Sequence, residues 1–456
     1  MEAIKKYIFG DKNFYYKLFT LAIPVIIQNL MASSLGMVDN VMVGELGNEA
    51  VAAVGVANQY GLLVFLLYAA IHSGAGIYIA QFWGKKDYDN IGKVVNIGIA
   101  LAIGVALLFS IIGVLFPTQI VGIFNTEPLV IKLGSDFLRI LSMSFVFASI
   151  SFGISVSLRS IGKSAMPMVI SGITLGINTL LNFILIFGMF GFPVMGVKGS
   201  ATATLISRII EMTIFLVVSW KNYDILRIRI SVLRKVSSEL FNKVITTMVP
   251  VILNELCWGL GFALYSVAYG RISTEAFAAV QITNIITNLF LVAGFGMASA
   301  SAVMVGHVIG AGEEHKGREY AWRFVMLCIV GGIVLGFALY FTAPAIVSLF
   351  KVTSDVLETA TFILYLNAFI IPIRLTNIVS IVGILRGGGD ASFAFKAEGI
   401  TMWLIGVPMA FFGAYVLKLD VKWVVLMVMA EELAKIIISV LRLKSDKWIK
   451  NVVIEV

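Results

Sequence analysis

Two carboxylates, Asp39 and Glu255, stand inside stretches that are otherwise long and apolar enough to cross a lipid bilayer. A charged side chain at the centre of a membrane helix costs roughly 2.5 to 3.5 kcal/mol on insertion scales, so each acid needs a cation, a hydrogen-bond donor, a water cavity or a proton. Asp39 lies about 21 residues into the first apolar stretch, roughly 30 Å of helical rise from its start, in the outer half of the membrane. Its candidate companions are Asn178 and Asn182, four residues apart and so on one helix face, and Thr204 in the following stretch. Burial favours the neutral acid and a bound cation the ionised one, a competition that suits a coupling site for H+ or Na+. The amides and Thr204 also fit a plainer role, interhelical hydrogen bonds worth about 0.6 kcal/mol each.

Glu255 follows Asn254 and precedes Trp258 by one turn, which places a carboxylate beside an aromatic face, a pairing that suits an organic cation. It reads as a substrate-binding or second acidic site. A protonated glutamate bonded to a neighbouring helix is the alternative, and Arg374 is a candidate charge partner. His72 and His307 read as packing residues. Glu431, Glu432 and Lys435 can pair along one helix near the cytoplasmic face and read as anchoring residues. Cys257 and Cys328 lie in apolar stretches and form no metal or disulfide framework. Gly162-Lys163-Ser164 lacks the glycine of a phosphate loop five residues earlier, where Ser157 stands. No catalytic constellation or cofactor motif is present, so the chain is not read as an enzyme.

The elements that must position these groups are membrane helices. Of 456 residues 59% are hydrophobic and 13% charged, against roughly 25% charged in an average soluble domain. Twelve apolar stretches of spanning length fall near 18–43, 50–82, 92–116, 130–157, 165–190, 198–219, 241–269, 276–309, 319–343, 354–384, 394–417 and 421–442. Continuous apolar runs such as that from Asn96 to Phe116 exclude the strict alternation of a membrane β-barrel. The expected fold is all-α, integral to the membrane, with twelve transmembrane helices.

The net charge of +8 does not point to nucleic acid, because the basic residues cluster in the connections between spans. Of 34 Lys and Arg, 25 fall on the side of the two termini and the even-to-odd connections, Lys5, Lys6 and Lys435 among them; six fall opposite, and Arg139, Arg208 and Arg374 are embedded. Cytoplasmic loops carry the positive excess. Both termini are therefore expected in the cytoplasm, in a multi-pass protein of the cytoplasmic (plasma) membrane.

The chain is also duplicated. Ile23-Pro24-Val25 returns as Val249-Pro250-Val251, and Glu49 to Val54 as Glu275 to Val280, at an offset of 226 that becomes 227 at Leu158-Arg159 against Leu385-Arg386. Six spans per copy give both copies the same direction, so the halves are parallel repeats. Residues 1–220 are the expected N-terminal lobe, 221–243 a charged cytoplasmic linker and 244–456 the C-terminal lobe. Pro24 is a candidate hinge, because proline removes a helix hydrogen bond, though inheritance of a packing position with Pro250 explains it equally well.

The pattern resembles the multidrug and toxic compound extrusion (MATE) family, within the superfamily that includes polysaccharide and lipid flippases. The resemblance spans nearly the whole chain. It is carried by Pro24 with Met37-Val38-Asp39-Asn40-Val41-Met42-Val43-Gly44, by Leu385-Arg386-Gly387 and its counterpart Leu158-Arg159-Ser160, by Asn178 with Asn182, and by Glu432, Lys435, Arg442, Ser445 and Trp448 near the end. It implies two six-helix lobes, antiport of H+ or Na+, and export of cationic amphiphilic compounds by alternating access. It also implies that Asp39, Asn178, Asn182 and Thr204 form the cation-coupling site, where Na+ would be the metal ion, and that Glu255 is the C-lobe acid. At the position where some members carry an aspartate on span 10, this chain has Leu375.

The expected function is secondary active multidrug efflux by a monomer, with small organic cations and the bilayer as its partners. The alternative is a lipid-linked oligosaccharide or lipid flippase, whose cavity would favour Arg and Lys; the embedded charges here are mixed. A carrier of the major facilitator type lacks support, since Gly84-Lys85-Lys86-Asp87 stands where its signature loop would be. A fluorescent protein fused after Val456 is expected to fluoresce and alkaline phosphatase fused there to be inactive; the reverse pattern contradicts the topology.

Overall fold

A computed structural model describes residues 11–454, with the side chains of Leu35 and Ile230 left aside. Lys5 and Lys6 lie outside the described residues. All described regular structure is helical: α1 (Lys12–Gly44), α2 (Asn48–Lys85), α3 (Tyr88–Leu115), α4 (Pro117–Phe124), α5 (Pro128–Met143), α6 (Phe145–Ser160), α7 (Ala165–Phe187), α8 (Val197–Asn222), α9 (Ile230–Leu233), α10 (Ser238–Ile272), α11 (Thr274–Gly310), α12 (Glu314–Val347), α13 (Ser354–Ile378), α14 (Ala391–Thr401), α15 (Val407–Phe411), α16 (Val421–Val428) and α17 (Ala430–Lys444). Among the described residues ten helices are long and apolar enough to cross a membrane, and eleven when the bent pair α5 and α6 counts as one span. The twelfth expected span falls on two shorter helices, α16 and α17, that are not among those eleven; they are interrupted at Met429, with Glu431, Glu432 and Lys435 in the second. Phe341, Phe369 and Leu108 are more than half exposed on these helices, apolar surface that lipid would cover.

The stretch expected as one span over 130–157 is bent by 46° between α5 and α6. Serines account for the bend. The Ser144 hydroxyl donates to Leu141 O at 2.6 Å, and Ser110 donates to Ser142 O at 2.6 Å, so side chains take up carbonyls that a continuous helix would have used. A π-helical segment, Val379–Leu385, continues α13, and two more, Met402–Gly406 and Phe412–Val416, flank α15.

The chain forms two compact units. The N-terminal unit comprises Ile27–Trp83 and Asp87–Ile252; the C-terminal unit comprises the chain up to Ile26, Gly84–Lys86 and the chain from Leu253. The lobes expected from the sequence, 1–220 and 244–456, thus exchange the first part of their first helices. α1 passes from one unit to the other after Ile26 and α10 after Ile252, each two residues beyond its internal proline, Pro24 or Pro250.

Close approach in the C-terminal unit depends on small residues, as in membrane helix pairs generally. Gly332 and Gly336 on α12, one turn apart, lie against Pro372 and Ala368 of α13, where any Cβ would collide with backbone. Gly383 leaves room for Ser301 and Ala298 of α11. The tail is locked into the same unit. Trp448 is fully buried against Gly388, Asp390 meets Arg442 and Lys450 at 2.6 Å each, and Lys85 donates to Val453 O at 2.6 Å. Trp448→Ala is expected to cost about 3 to 5 kcal/mol, whereas exposed Trp220→Ala leaves stability nearly unchanged; thermal unfolding of the detergent-solubilised protein measures both.

Candidate functional site

In the N-terminal unit α1 brings Asp39 to the face of α7 that carries both asparagines. Asn182 Nδ2 donates to Asp39 Oδ1 at 2.6 Å and to Asn178 Oδ1 at 3.2 Å. Both amides are buried and Asp39 is half-buried. The buried Asn182 Oδ1 has no hydrogen-bond partner among the described residues. A carboxylate beside an unsatisfied amide oxygen is an acceptor-rich site, and oxygen donors of this kind suit a hard cation or a proton. Thr204 is half-buried on α8, which packs along α7.

Four residues after Thr204 stands Arg208, whose Nη1 lies 2.7 Å from Glu211 Oε2. Arg208 is also within electrostatic reach of Asp39 and Tyr68. The sequence marked Arg208 as embedded but gave it no partner. His72 fits the packing role: its Nε2 donates to Ser149 O at 2.9 Å, and Gly153 leaves space for the ring.

Glu255 on α10 meets Arg386 rather than Arg374. Arg386 Nη2 lies 2.8 Å from Glu255 Oε1, with Arg386 almost fully buried. Arg374 instead lies 3.3 Å from Glu432 and donates to Asn367 Oδ1 at 3.1 Å. The partner comes from the Leu385-Arg386-Gly387 segment, which the sequence marked as a motif without assigning it a charge role. Trp258 is 40% exposed, so its face is open, with its ring 5.6 Å from Phe262. Leu375 is buried in the apolar core against Gly294, so no second acid stands there.

The pairing along one helix expected for Glu431, Glu432 and Lys435 extends to other helices. Glu431 and Lys435 are buried and joined to each other at 2.7 Å, and Lys435 also meets Glu398 of α14 at 2.7 Å. Their i,i+4 spacing identified the local pair, but the partners from other helices were not visible in it.

The MatE family model matches residues 24–184 and 250–412, each match starting on one of the repeated prolines. The chain belongs to the MATE family. The MATE chain is 26% identical over 448 residues to the uncharacterized transporter YisQ of Bacillus subtilis, covering 97% of this chain and 96% of that one. It is 24% identical over 441 residues to the probable multidrug resistance protein NorM of Thermotoga maritima, covering 96% and 94%. Among solved structures it resembles an outward-facing multidrug resistance MATE transporter of the MOP superfamily, with TM-score 0.86, 17% identity and coverage of 98% and 99%. A MOP superfamily transporter from Pyrococcus furiosus, described as having a binding pocket of reverse polarity, matches with TM-score 0.85, 18% identity and the same coverage. MATE proteins are ion-coupled membrane transporters, not enzymes, and this one is a multi-pass integral membrane protein.

The Glu255 to Arg386 pair makes a direct prediction. Arg386→Gln is expected to cost about 3 kcal/mol by stranding the acid, and adding Glu255→Gln should recover part of that loss. Denaturant titration of the solubilised protein measures it; equal losses in the single and double variants contradict the pairing.

Proposed function

We propose that this transporter exports cationic amphiphilic compounds by antiport with H+ or Na+, coupled at Asp39, Asn178, Asn182 and Thr204. The observation that carries the reading is the partly buried contact between Asp39 and Asn182 with an unsatisfied amide oxygen beside it. A cation arriving at these oxygens stabilises the ionised carboxylate, whereas its departure leaves a charge that the surroundings compensate poorly. The chain alternates between inward-open and outward-open states, and occupancy of this site biases that equilibrium. Pro24, at the point where α1 changes unit, is the proposed hinge.

On the substrate side, an organic cation would lie on the exposed Trp258 face and take the place of Arg386 beside Glu255. Export then couples to ion entry as a free-energy linkage. One proton contributes about 1.4 kcal/mol per pH unit, and one charge about 2.3 kcal/mol per 100 mV. The proposed setting is the cytoplasmic membrane with both termini inside, acting as a monomer. The names of relatives such as the Thermotoga maritima protein support small drug-like substrates.

Ethidium transport in inverted vesicles, with imposed proton or sodium gradients, tests this reading. Asp39→Asn is expected to abolish gradient-driven transport, and full activity in that variant removes Asp39 from the coupling role. Glu255→Gln is expected to weaken transport of cations; unchanged transport removes it from substrate binding. Movement of a lipid-linked sugar with no dye transport would favour a flippase instead.

A further inference from the structure

The C-terminal unit contains a buried cluster of ionisable side chains that the coupling reading does not use. Lys435 on α17 bridges Glu398 and Glu431, and the Tyr265 hydroxyl of α10 donates to Glu431 Oε2 at 2.5 Å. Next to them, Glu432 meets Arg374 and accepts from Asn377 Nδ2 at 2.8 Å. Tyr269 is in electrostatic reach of Glu431 and Arg374. The facing groups from α10, α13, α14 and α17 are thus three carboxylates, two cations and two phenols.

With all acids ionised, the cluster carries one uncompensated negative charge in apolar surroundings, which is strongly unfavourable. Lys435 already occupies the position between Glu398 and Glu431 that a metal cation would take, so the species that restores neutrality is a proton. A second observation points the same way. Asn377 Oδ1 is buried without a hydrogen-bond partner among the described residues, and Asn377 is aimed into the cluster by its bond to Glu432. An ionised acid only accepts hydrogen bonds; a carboxylic acid can donate one.

The internal repeat gives the cluster a meaning. The offset of 227 takes Arg208-Ile209-Ile210 to Lys435-Ile436-Ile437 and Thr204 to Glu431, while the offset of 226 takes Asp39 to Tyr265. The cluster therefore holds, in the second copy, the positions that Asp39, Thr204 and Arg208 hold in the first. The acid has moved from the first helix of the copy to the sixth, and the hydroxyl has moved the other way. In both copies a basic residue follows four positions after the sixth-helix member. Gly406 makes the second arrangement fit, since a Cβ there would strike both Tyr265 Oη and Glu431 Oε2.

We propose that Glu431, held by Tyr265 and Lys435, binds one exchangeable proton, so that the C-terminal unit carries a proton site related by the repeat to the Asp39 site. The proton comes from water and returns to it, converting the carboxylate to the neutral acid and back. The part this site plays in transport rests on the coupling reading of Asp39; its chemistry does not.

Infrared pH-difference spectroscopy of the purified full chain, in sodium-free buffer and without drug, tests the chemistry separately from transport. A protonated-carboxyl band is expected that is lost in Glu431→Gln and retained in Asp39→Asn. In Tyr265→Phe, which removes a donor to the charged form, the midpoint of that band should rise by about one to two pH units. A band that survives intact in Glu431→Gln overturns the proposal, as does a wild-type band abolished by saturating Na+. If Glu431→Gln does not fold, an unmoved midpoint in Tyr265→Phe overturns it as well.

Discussion

A carboxylate removed from water must be compensated within a few ångströms, and this structure meets that requirement in three ways. Asp39 takes an amide hydrogen from Asn182, whose own amide oxygen has no hydrogen-bond partner among the described residues. Glu255 takes the guanidinium of Arg386, 2.8 Å away. Glu398, Glu431 and Glu432 share Lys435 and Arg374 with phenol and amide donors. The first arrangement is the least complete, and incompleteness is what lets a site gain and lose an ion.

The helices can meet these demands only if they approach closely, and glycine makes the approach. Gly153 leaves room for His72, Gly332 and Gly336 for α13, and Gly406 for the Tyr265 hydroxyl. Polar side chains then find partners within each unit: Ser144 and Ser110 donate at the bend between α5 and α6, and Asn377 Nδ2 donates to Glu432. The duplicated scaffold supplies the same helices twice, while the side chains that exchange or fix charge differ between copies.

The sequence made the long elements legible because hydropathy over about twenty residues reflects bilayer thickness directly. The duplication, the prolines and the face shared by Asn178 and Asn182 were equally readable, being periodic or repeated. Contacts between distant segments were not. Arg374 was the embedded cation offered to Glu255, and Arg386 stood among the basic residues of the cytoplasmic side; only the fold brings Arg386 to the acid. Glu431, Glu432 and Lys435 show their pairing along one helix but not their partners on others, because a spacing of four residues is the same whether water or Glu398 lies beyond it. The bend at Ser144 was hidden for a related reason: hydropathy reports where a helix is apolar, not where its carbonyls are taken by serines.

Family membership makes this an ion-coupled transporter, and the contact between Asp39 and Asn182 is the point at which we propose that coupling occurs. Linkage is reciprocal, so a site through which an ion drives drug must also let drug drive an ion. The most direct measurement is therefore counter-flux in proteoliposomes, in which an organic-cation gradient is imposed with no ion gradient present. The account predicts an opposing flux of H+ or Na+ in the wild type that is lost in Asp39→Asn. An undiminished ion flux in that variant, or drug movement with no ion flux in the wild type, would contradict it.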